Sequence, residues 1–238
     1  IQQNAIEFIP CRTQHQKLIQ NNLWSPKITS VFEEDDVIVK KFGYEVDRKS
    51  LSDLISGSKI NDLIVNFYIE MVCNSNPKVE CSHIDSLIVS KILNGNLTRL
   101  SRYFEKNFKA DFRLLFCPAL ILKDHWVLFV FDSSRKSITC YDSIFRTESE
   151  MIDKIRAPLT KYITSLSGSD SWTIVNDSLY PKQKGNDKDC GVFVCAYSKW
   201  LAHVKPFSFK QNDIPKIRKT MGSEVLKGQI EQFDCLEQ

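Results

Sequence analysis

The stretch HWVLFVFDSSRKSITCYDS, residues 125–143, decides how this chain is expected to fold. Two runs rich in β-branched and aromatic residues, at 125–132 and 137–143, are separated by a short polar segment. Such runs on either side of a polar turn are typical of two antiparallel strands joined in a hairpin. The stretch therefore predicts part of a central β-sheet.

The register of this hairpin brings two titratable side chains together. With the turn centred between Ser134 and Arg135, Asp142 lies opposite Val127. His125 is two positions before Val127, so it shares a face with Asp142 and lies within diagonal reach, about 7 Å between α-carbons. The hairpin is thus predicted to present an imidazole beside a carboxylate, the pair that orients a general base and stabilises it as imidazolium.

Further apolar patterns predict an α+β fold around this hairpin, with a central, mostly antiparallel sheet flanked by helices. Additional strands are predicted at 37–39, 113–122 and 172–177. Helices are predicted from Ser58, as N-cap, to Met71, at 84–92 before Asn94-Gly95, at 97–108, at 149–166 and at 190–204. No repeat or linker divides the chain, so we expect one catalytic domain at 45–238 after an N-terminal extension at 1–44 that packs on it or leads into it.

The bulk properties of the chain argue against two classes of function. Its 238 residues carry a formal net charge of only +3, and the basic residues are spread out, which argues against nucleic-acid binding. No run approaches the roughly 18 apolar residues that a membrane span needs, and the N-terminal part lacks a signal-peptide core. We expect a soluble domain excised from a longer chain.

The cysteine distribution indicates free thiols. Several of the eight cysteines, such as Cys117 and Cys140, fall inside apolar strand-like runs, as buried thiols do in a reducing compartment. Cys73, Cys81 and His83 form the one cluster that resembles a metal site, but their spacing matches no common zinc frame. We therefore expect neither a metal nor an organic cofactor.

The segment DCGVFVC, residues 189–195, places a cysteine and a glycine at the start of an apolar run. Taken alone, Cys190 fits a core thiol, because cysteine is among the residues most often buried. If a helix begins here, its unpaired N–H groups and its dipole favour a thiolate, and Gly191 leaves room for a substrate backbone. Together with the paired His125 and Asp142, this predicts that Cys190 is a nucleophile.

Gln183 is a candidate oxyanion donor. It lies seven residues before Cys190 in the polar loop PKQKGNDKD. Its side-chain amide could act beside the backbone N–H of Cys190. A loop glutamine is more often exposed and without a catalytic role, so the position alone leaves both interpretations open.

Four pieces of sequence, in this order, resemble the ubiquitin-like-protein-specific cysteine proteases, the Ulp/SENP class. They are HW at 125–126, YDS at 141–143, the loop that contains Gln183, and DCGVFVC at 189–195. The similarity continues upstream at 51–72, which carries a Leu-Asn-Asp-like signature, and downstream at 213–226. Together these segments span most of the chain.

The resemblance implies a papain-like fold in permuted order, with His and Asp on adjacent strands and the nucleophile later, at a helix N-terminus. By position, the nucleophile, general base, orienting acid and oxyanion donor fall on Cys190, His125, Asp142 and Gln183. The implied substrate-binding residues are Trp126, Asn61, Asp62 and Gly191. Of these, Trp126 would cover a narrow tunnel that admits a Gly-Gly tail.

Two positions depart from the family pattern. Lys59 stands where the family usually has tryptophan, so the second aromatic wall of the tunnel is missing or supplied from elsewhere, which weakens an assignment to SUMO. The SUMO proteases usually place the glutamine six residues before the cysteine, whereas the spacing of seven found here resembles the viral relatives.

The resemblance implies cleavage after the Gly-Gly tail of a ubiquitin-like modifier, with SUMO favoured over NEDD8 and ubiquitin. The expected enzyme is a monomer in the nucleus or cytoplasm, without a nucleic-acid or membrane partner. Three alternatives remain open: a deubiquitinase or deneddylase of the same clan, such as a bacterial effector in the host cytosol; an acyltransferase with the same Cys-His-acid frame; and a pseudoenzyme that only binds a modifier.

Overall fold

The computed structural model describes residues 36–96, 100, 111–144, 149–167, 171–176 and 179–231. The predicted helix at 97–108 lies outside these ranges apart from residue 100, and so do residues 1–35 of the predicted extension. The division of the chain at 44/45 therefore stays a prediction. Among the described residues, no helix combines the length and apolar character needed to cross a bilayer.

The described strands form a hairpin and a larger sheet. They are β1 (Val37–Lys41), β2 (Tyr44–Asp47), β3 (Cys81–His83), β4 (Leu114–Ile121), β5 (His125–Asp132), β6 (Ser137–Tyr141) and β7 (Thr173–Val175). β1 and β2 pair with each other, and the remaining strands form one sheet in the order β3-β4-β5-β6-β7. The long middle strands are antiparallel, as predicted, but the short edge strands β3 and β7 join them in parallel, so the sheet is mixed.

The register predicted for the β5–β6 hairpin is confirmed. Asp132 pairs with Ser137 and Leu128 pairs with Tyr141, as the predicted turn centre requires. The Asp132 Oδ1 atom also accepts hydrogen bonds of 3.0 and 3.2 Å from two backbone N–H groups of the turn. The polar turn residues thus stabilise the register that places the end of β6 beside the start of β5.

Helices cover both faces of the sheet. They are α1 (Arg48–Ser56), α2 (Asp62–Cys73), α3 (Ser86–Leu93), α4 (Ser149–Ser167), α5 (Cys190–Ala202) and α6 (Ile214–Lys227). Residues of α1, α2, α5 and α6 share one hydrophobic cluster with alternate residues of β4 and β5, and α3 and α4 share a second cluster with the intervening ones. Because β4 and β5 are buried on both faces, their sequences are apolar almost throughout.

The start of α2 differs from the prediction. Its N-cap is Asn61, whose Oδ1 accepts the backbone N–H of Ile64 at 3.1 Å. Ser58 instead belongs to the end of α1, a helix that the sequence patterns did not predict. That end is formed by Gly57, with a φ of 86°, and by the Ser58 N–H, which donates to the Asp53 carbonyl at 3.0 Å.

The other predicted helices within the described ranges are confirmed. Those at 84–92, 149–166 and 190–204 correspond to α3, α4 and α5, with ends that differ by at most two residues. The predicted strand at 172–177 is shorter in the structure, where β7 has three residues and pairs with β6 at the edge of the sheet. Residue 177 itself lies outside the described ranges.

Candidate active site

Cys190 is the first residue of α5, so its predicted position at a helix N-terminus is confirmed. Its side chain is only 2% exposed. The preceding Asp189 forms no side-chain cap to the helix, which leaves first-turn N–H groups without an intrahelical partner. These donors and the helix dipole favour negative charge on the Cys190 sulfur.

Asp189 is oriented by an arginine from another helix. Its Oδ1 accepts hydrogen bonds from Arg218 Nε at 3.0 Å and Nη2 at 2.7 Å. Arg218 lies on α6, is 3% exposed, and also donates to the Leu54 carbonyl at 2.9 Å. The guanidinium therefore holds the residue before Cys190 against α1 and α6, a contact that sequence spacing alone does not reveal.

His125 and Asp142 lie at the same end of the sheet, at the start of β5 and directly after β6. The Nε2 atom of His125 is 2.8 Å from Asp142 Oδ1, and both side chains are buried. The same oxygen accepts the Ile144 N–H at 2.9 Å, while the Asp142 N–H donates to the Tyr180 hydroxyl at 3.1 Å. The carboxylate is thus fixed on several sides and holds the imidazole through Nε2.

The second ring nitrogen of His125, Nδ1, is available to the cysteine. It is buried and has no hydrogen-bond partner among the described residues, and Cys190 is close enough to contribute to the pKa of His125. Burial alone lowers the pKa of His125, but the hydrogen bond to Asp142 and the interaction with Cys190 raise it to about 9. The site therefore favours a protonated imidazole near Cys190.

Cys190 opens into a groove of about 460 Å³. Trp126 lines this groove and donates from Nε1 to the Ile60 carbonyl at 3.3 Å, which ties β5 to the segment before α2. A Cβ atom on Gly191 would lie 2.5 Å from Ile60 Cγ1 and 3.2 Å from Trp126 Cδ1. The glycine therefore permits close approach of α5 to the groove wall, rather than leaving open space there.

The two other residues predicted to bind substrate differ in their contacts. Asn61 lines the groove, but its Oδ1 caps α2 and its Nδ2 donates to Ser50 Oγ at 2.8 Å, so the structure shows it supporting the backbone. Asp62 lines the same groove and is partly exposed. Their contact with a substrate stays a prediction.

Gln183 is buried, which excludes the exposed-loop interpretation. Its Nε2 donates to the Asn186 carbonyl at 2.8 Å and to Asn186 Oδ1 at 3.0 Å, and its Oε1 accepts from Ser143 Oγ at 3.2 Å. The amide is thus held between β6 and the loop that leads to Cys190. Its role as an oxyanion donor stays a prediction, because an N–H that now donates to Asn186 would also have to donate to the oxyanion.

Asn186 organises this loop. Its Oδ1 accepts the backbone N–H groups of Lys188 at 2.9 Å and Asp189 at 3.2 Å, and its Nδ2 donates to Asp189 Oδ2 at 2.9 Å. Sequence reasoning missed Asn186 as it missed Arg218. The local signal was an asparagine beside a glycine in a polar loop, which is typical of turns in general.

Three other thiols among the described residues lie outside the groove that holds Cys190. Burial raises the pKa of Cys117 and Cys195 well above the usual thiol range, and that of Cys81 to about 12. His83, from the cluster considered for metal binding, places Nδ1 2.7 Å from Glu70 Oε2. Within the described ranges, no group of three or more potential ligands could hold a metal ion.

Comparison with known proteins identifies relatives of this chain. A family model described as the Ulp1 protease family, C-terminal catalytic domain, matches residues 58–230. A sentrin-specific protease of Caenorhabditis elegans is 27% identical over 207 residues, which cover 82% of this chain and 29% of that protein. Sentrin-specific protease 5 of Homo sapiens is 31% identical over 186 residues, which cover 76% and 24%. The chain spans about a quarter to a third of the length of these curated relatives.

Solved structures show the same fold. The C-terminal Ulp1 protease domain in complex with Smt3, the yeast ortholog of SUMO, has a TM-score of 0.75 at 20% identity, covering 90% of this chain and 95% of that chain. The catalytic domain of a Ulp1-like SUMO protease from Chaetomium thermophilum has a TM-score of 0.67 at 18% identity, covering 99% and 97%. The fold expected from the sequence resemblance is thereby confirmed.

Proposed function

The chain belongs to the Ulp1 protease family, and on that basis we propose that it is a thiol isopeptidase that cleaves after the Gly-Gly tail of a ubiquitin-like modifier, SUMO. The observation that carries this proposal is the common location of three groups. Cys190 opens at a helix N-terminus into the groove lined by Trp126, and the hydrogen-bonded His125 and Asp142 lie behind it. These are the parts that acyl transfer through a cysteine requires.

The first half of the reaction forms a thioester. The Cys190 thiolate attacks the carbonyl carbon of the terminal glycine, and the carbonyl electrons move to the oxygen. The Cys190 backbone N–H and an N–H of Gln183 stabilise this oxyanion. When the intermediate collapses, the C–N bond breaks and the imidazolium of His125 gives its proton to the departing lysine amine or peptide amine.

The second half releases the modifier. Neutral His125 removes a proton from a water molecule, and the resulting hydroxide attacks the thioester carbonyl. The C–S bond breaks, the modifier leaves with a free carboxylate, and the pair returns to thiolate and imidazolium. Asp142 remains ionised and holds the imidazole through Nε2 during both halves.

The groove favours a slim acyl segment. Trp126 and Ile60 lie close together, joined by the hydrogen bond from the indole N–H, and α5 approaches both at Gly191. Glycines in the last two positions of a substrate would present only backbone to these walls. Larger side chains would require the walls to move apart.

The relatives support SUMO as the modifier. The proteins that match this chain at 27% and 31% identity are named sentrin-specific proteases, and the Ulp1 domain of the same fold binds Smt3, the yeast ortholog of SUMO. We further propose that the enzyme works in a reducing compartment, the nucleus or the cytoplasm. Cys81, Cys117 and Cys195 form no disulfide, which is in keeping with such a compartment.

The test uses modifiers whose C-termini carry an electrophile. The protein and its Cys190→Ala variant are incubated with electrophilic SUMO, NEDD8 and ubiquitin, and covalent adducts are read by mass. We expect an adduct with SUMO that the variant does not form. An adduct with only ubiquitin or NEDD8 would mean that this protein, and not SUMO, is the modifier that the enzyme recognises. No adduct with any of them would reject the isopeptidase function, and acetyl-CoA dependence would then test the acyltransferase alternative.

A further inference from the structure

An exposed cluster of three charged side chains, two of which line the groove, lies beside Cys190. The Lys59 Nζ atom lies 3.3 Å from Asp124 Oδ2 and 3.3 Å from Asp187 Oδ2. Contact with Asp124 is the main reason that the pKa of Lys59 is raised, so the ammonium remains charged across the working pH range. One cation is thus shared by two carboxylates.

These three residues come from three separate segments, each next to a part of the site. Lys59 precedes the Ile60 carbonyl that accepts the Trp126 indole N–H. Asp124 directly precedes His125, and Asp187 lies in the loop that leads to Cys190. The ion pairs therefore join the segment before α2, the β4–β5 turn and the loop before α5.

The cluster lies on the solvent side of the groove. The side chains of Lys59, Asp124 and Asp187 are 43%, 48% and 50% exposed. Trp126 and Cys190, which line the same groove as Lys59 and Asp124, are 4% and 2% exposed. The buried pair lies deeper in the groove, Lys59 and Asp124 line it on the solvent side, and Asp187 is held beside them by Lys59.

We propose that Lys59, Asp124 and Asp187 act as an ionic strap that closes over the acyl segment of the substrate and positions it beside Cys190. This inference rests on the proposed function, since it concerns how the slim tail is held. The sequence resemblance leads us to expect a tryptophan at the position of Lys59, and the structure has two ion pairs there instead.

The exposure of these side chains determines how such a strap works. An exposed ion pair contributes only about 0–1 kcal/mol, so the strap opens readily to admit a tail. Salt weakens it, because charges are screened over about 10 Å at 0.1 M ionic strength. Closure therefore helps substrate binding at low salt, and has little effect on the bond-breaking steps at Cys190 and His125.

The kinetic test uses an uncharged fluorogenic peptide that ends in Gly-Gly, so that charge on a folded modifier does not contribute. We expect the KM of the wild type to rise about two- to fivefold between about 0.05 and 0.5 M salt. Lys59→Met should show the higher KM at all salt concentrations, with kcat within about twofold of wild type. Lys59→Arg should retain the salt response, and Lys219→Met, which removes an exposed lysine of α6, should behave as wild type.

A second measurement reports closure without turnover. Cys190 is labelled with a small uncharged reagent, iodoacetamide, and with a bulky uncharged maleimide, and the labelled peptide is quantified by mass. The ratio of bulky to small labelling rates cancels changes in thiolate reactivity. It should rise with salt in the wild type, and it should be high and independent of salt in Lys59→Met.

Several results would overturn the strap. They are an unchanged salt response in Lys59→Met, a lower KM in that variant, a loss of kcat alone, or a labelling ratio that does not depend on Lys59. Failure of the proposed function would look different, because the wild type would then show no Cys190-dependent turnover or adduct. In that case the labelling ratio decides on the strap by itself.

Discussion

His125 Nε2 lies 2.8 Å from Asp142 Oδ1, and this buried contact directs the other ring nitrogen toward Cys190. Without the carboxylate, burial would favour the neutral imidazole. The hydrogen bond to Asp142, together with the interaction with Cys190, instead raises the pKa of His125 to about 9. The imidazolium should therefore persist through neutral pH, so that it can give its proton to the leaving amine.

The pH profile follows from this pKa. The thiolate–imidazolium pair is lost as pH rises through the pKa of His125, so the alkaline limb of kcat/KM should lie near pH 9 in the wild type. Asp142→Asn removes the main contribution that raises this pKa, so the limb should move to lower pH by about one unit or more, and kcat should fall. The measurement is turnover of a fluorogenic Gly-Gly peptide between about pH 5 and 10.

Asp111→Asn is the matched control for that profile, since Asp111 is exposed and outside the groove. It should reproduce the wild-type profile. An alkaline limb that stays in place in Asp142→Asn would contradict the role given to the carboxylate.

Gly191 tests the close approach of α5 to the groove wall. In Gly191→Ala the added Cβ would lie 2.5 Å from Ile60 Cγ1, so Ile60 has to shift. We expect a loss of about 1–3 kcal/mol in the free energy of unfolding and a marked loss of activity in the folded protein. Ile60→Ala in the same chain removes the clash and should restore part of both quantities.

Gly222→Ala is the control for this change. Its Cβ would lie 2.9 Å from Ile55 Cγ1, a comparable clash on α6 and away from the groove. It should reduce stability while leaving the activity of folded protein unchanged. If both variants lost activity equally, the loss in Gly191→Ala would result from lower stability alone and not from a change at the groove wall.

The parts of the fold predicted well are those with short-range patterns. The β5–β6 register followed from two apolar runs and a polar turn, and it placed His125 beside Asp142 because side chains alternate along strands. The start of α2 was predicted wrongly, since both Ser58 and Asn61 are good N-caps. The choice depends on Gly57, which ends α1 and draws Ser58 into that helix end.

The supporting contacts of the site could not be predicted in the same way. Arg218 reaches Asp189 from α6. Lys59, which precedes β3 and β4 in the sequence, reaches Asp124, which follows β4. Such pairs leave no periodic signal, because their partners are brought together only by packing of the whole domain. Composition shows many charged residues and does not indicate which of them meet.

Gln183 offers a test of the oxyanion site. If its amide stabilises the intermediate, Gln183→Ala and Gln183→Glu should both lower kcat by about 10²-fold or more, with KM nearly unchanged. The glutamate variant retains the shape and the acceptor toward Ser143 but lacks the N–H donors. Gln229→Ala, an exposed glutamine after α6, is the control and should leave kcat unchanged.

A different pattern would assign Gln183 to loop support through Asn186 alone. In that case Gln183→Glu would raise KM or lower stability while kcat stayed within a few fold of wild type. Unfolding by urea, run on the same variants, separates this structural effect from a catalytic one.

The buried ion pair between α5 and α6 predicts the largest change in stability. Glu224 is fully buried and accepts from Lys199 Nζ and from the Tyr68 hydroxyl, each at 2.5 Å. Glu224→Gln removes the carboxylate that accepts from the buried Lys199 ammonium, so the free energy of unfolding should fall by about 3–5 kcal/mol. Replacing both Lys199 and Glu224 with methionine should recover part of that loss, because an apolar pair needs no desolvation of charge, while the buried Tyr68 hydroxyl still loses its acceptor.

Urea unfolding of the three proteins measures these differences, and Lys49→Met provides the reference for an exposed pair. Lys49 lies 2.8 Å from Asp53 on the surface of α1, so its removal should change stability by about 1 kcal/mol or less. The groove beside Cys190 is lined by neither Lys199 nor Glu224, so the folded double variant should retain activity. A double variant as unstable as Glu224→Gln would contradict this expectation. It would show that the attraction between the two charges stabilises the packing of α5 on α6.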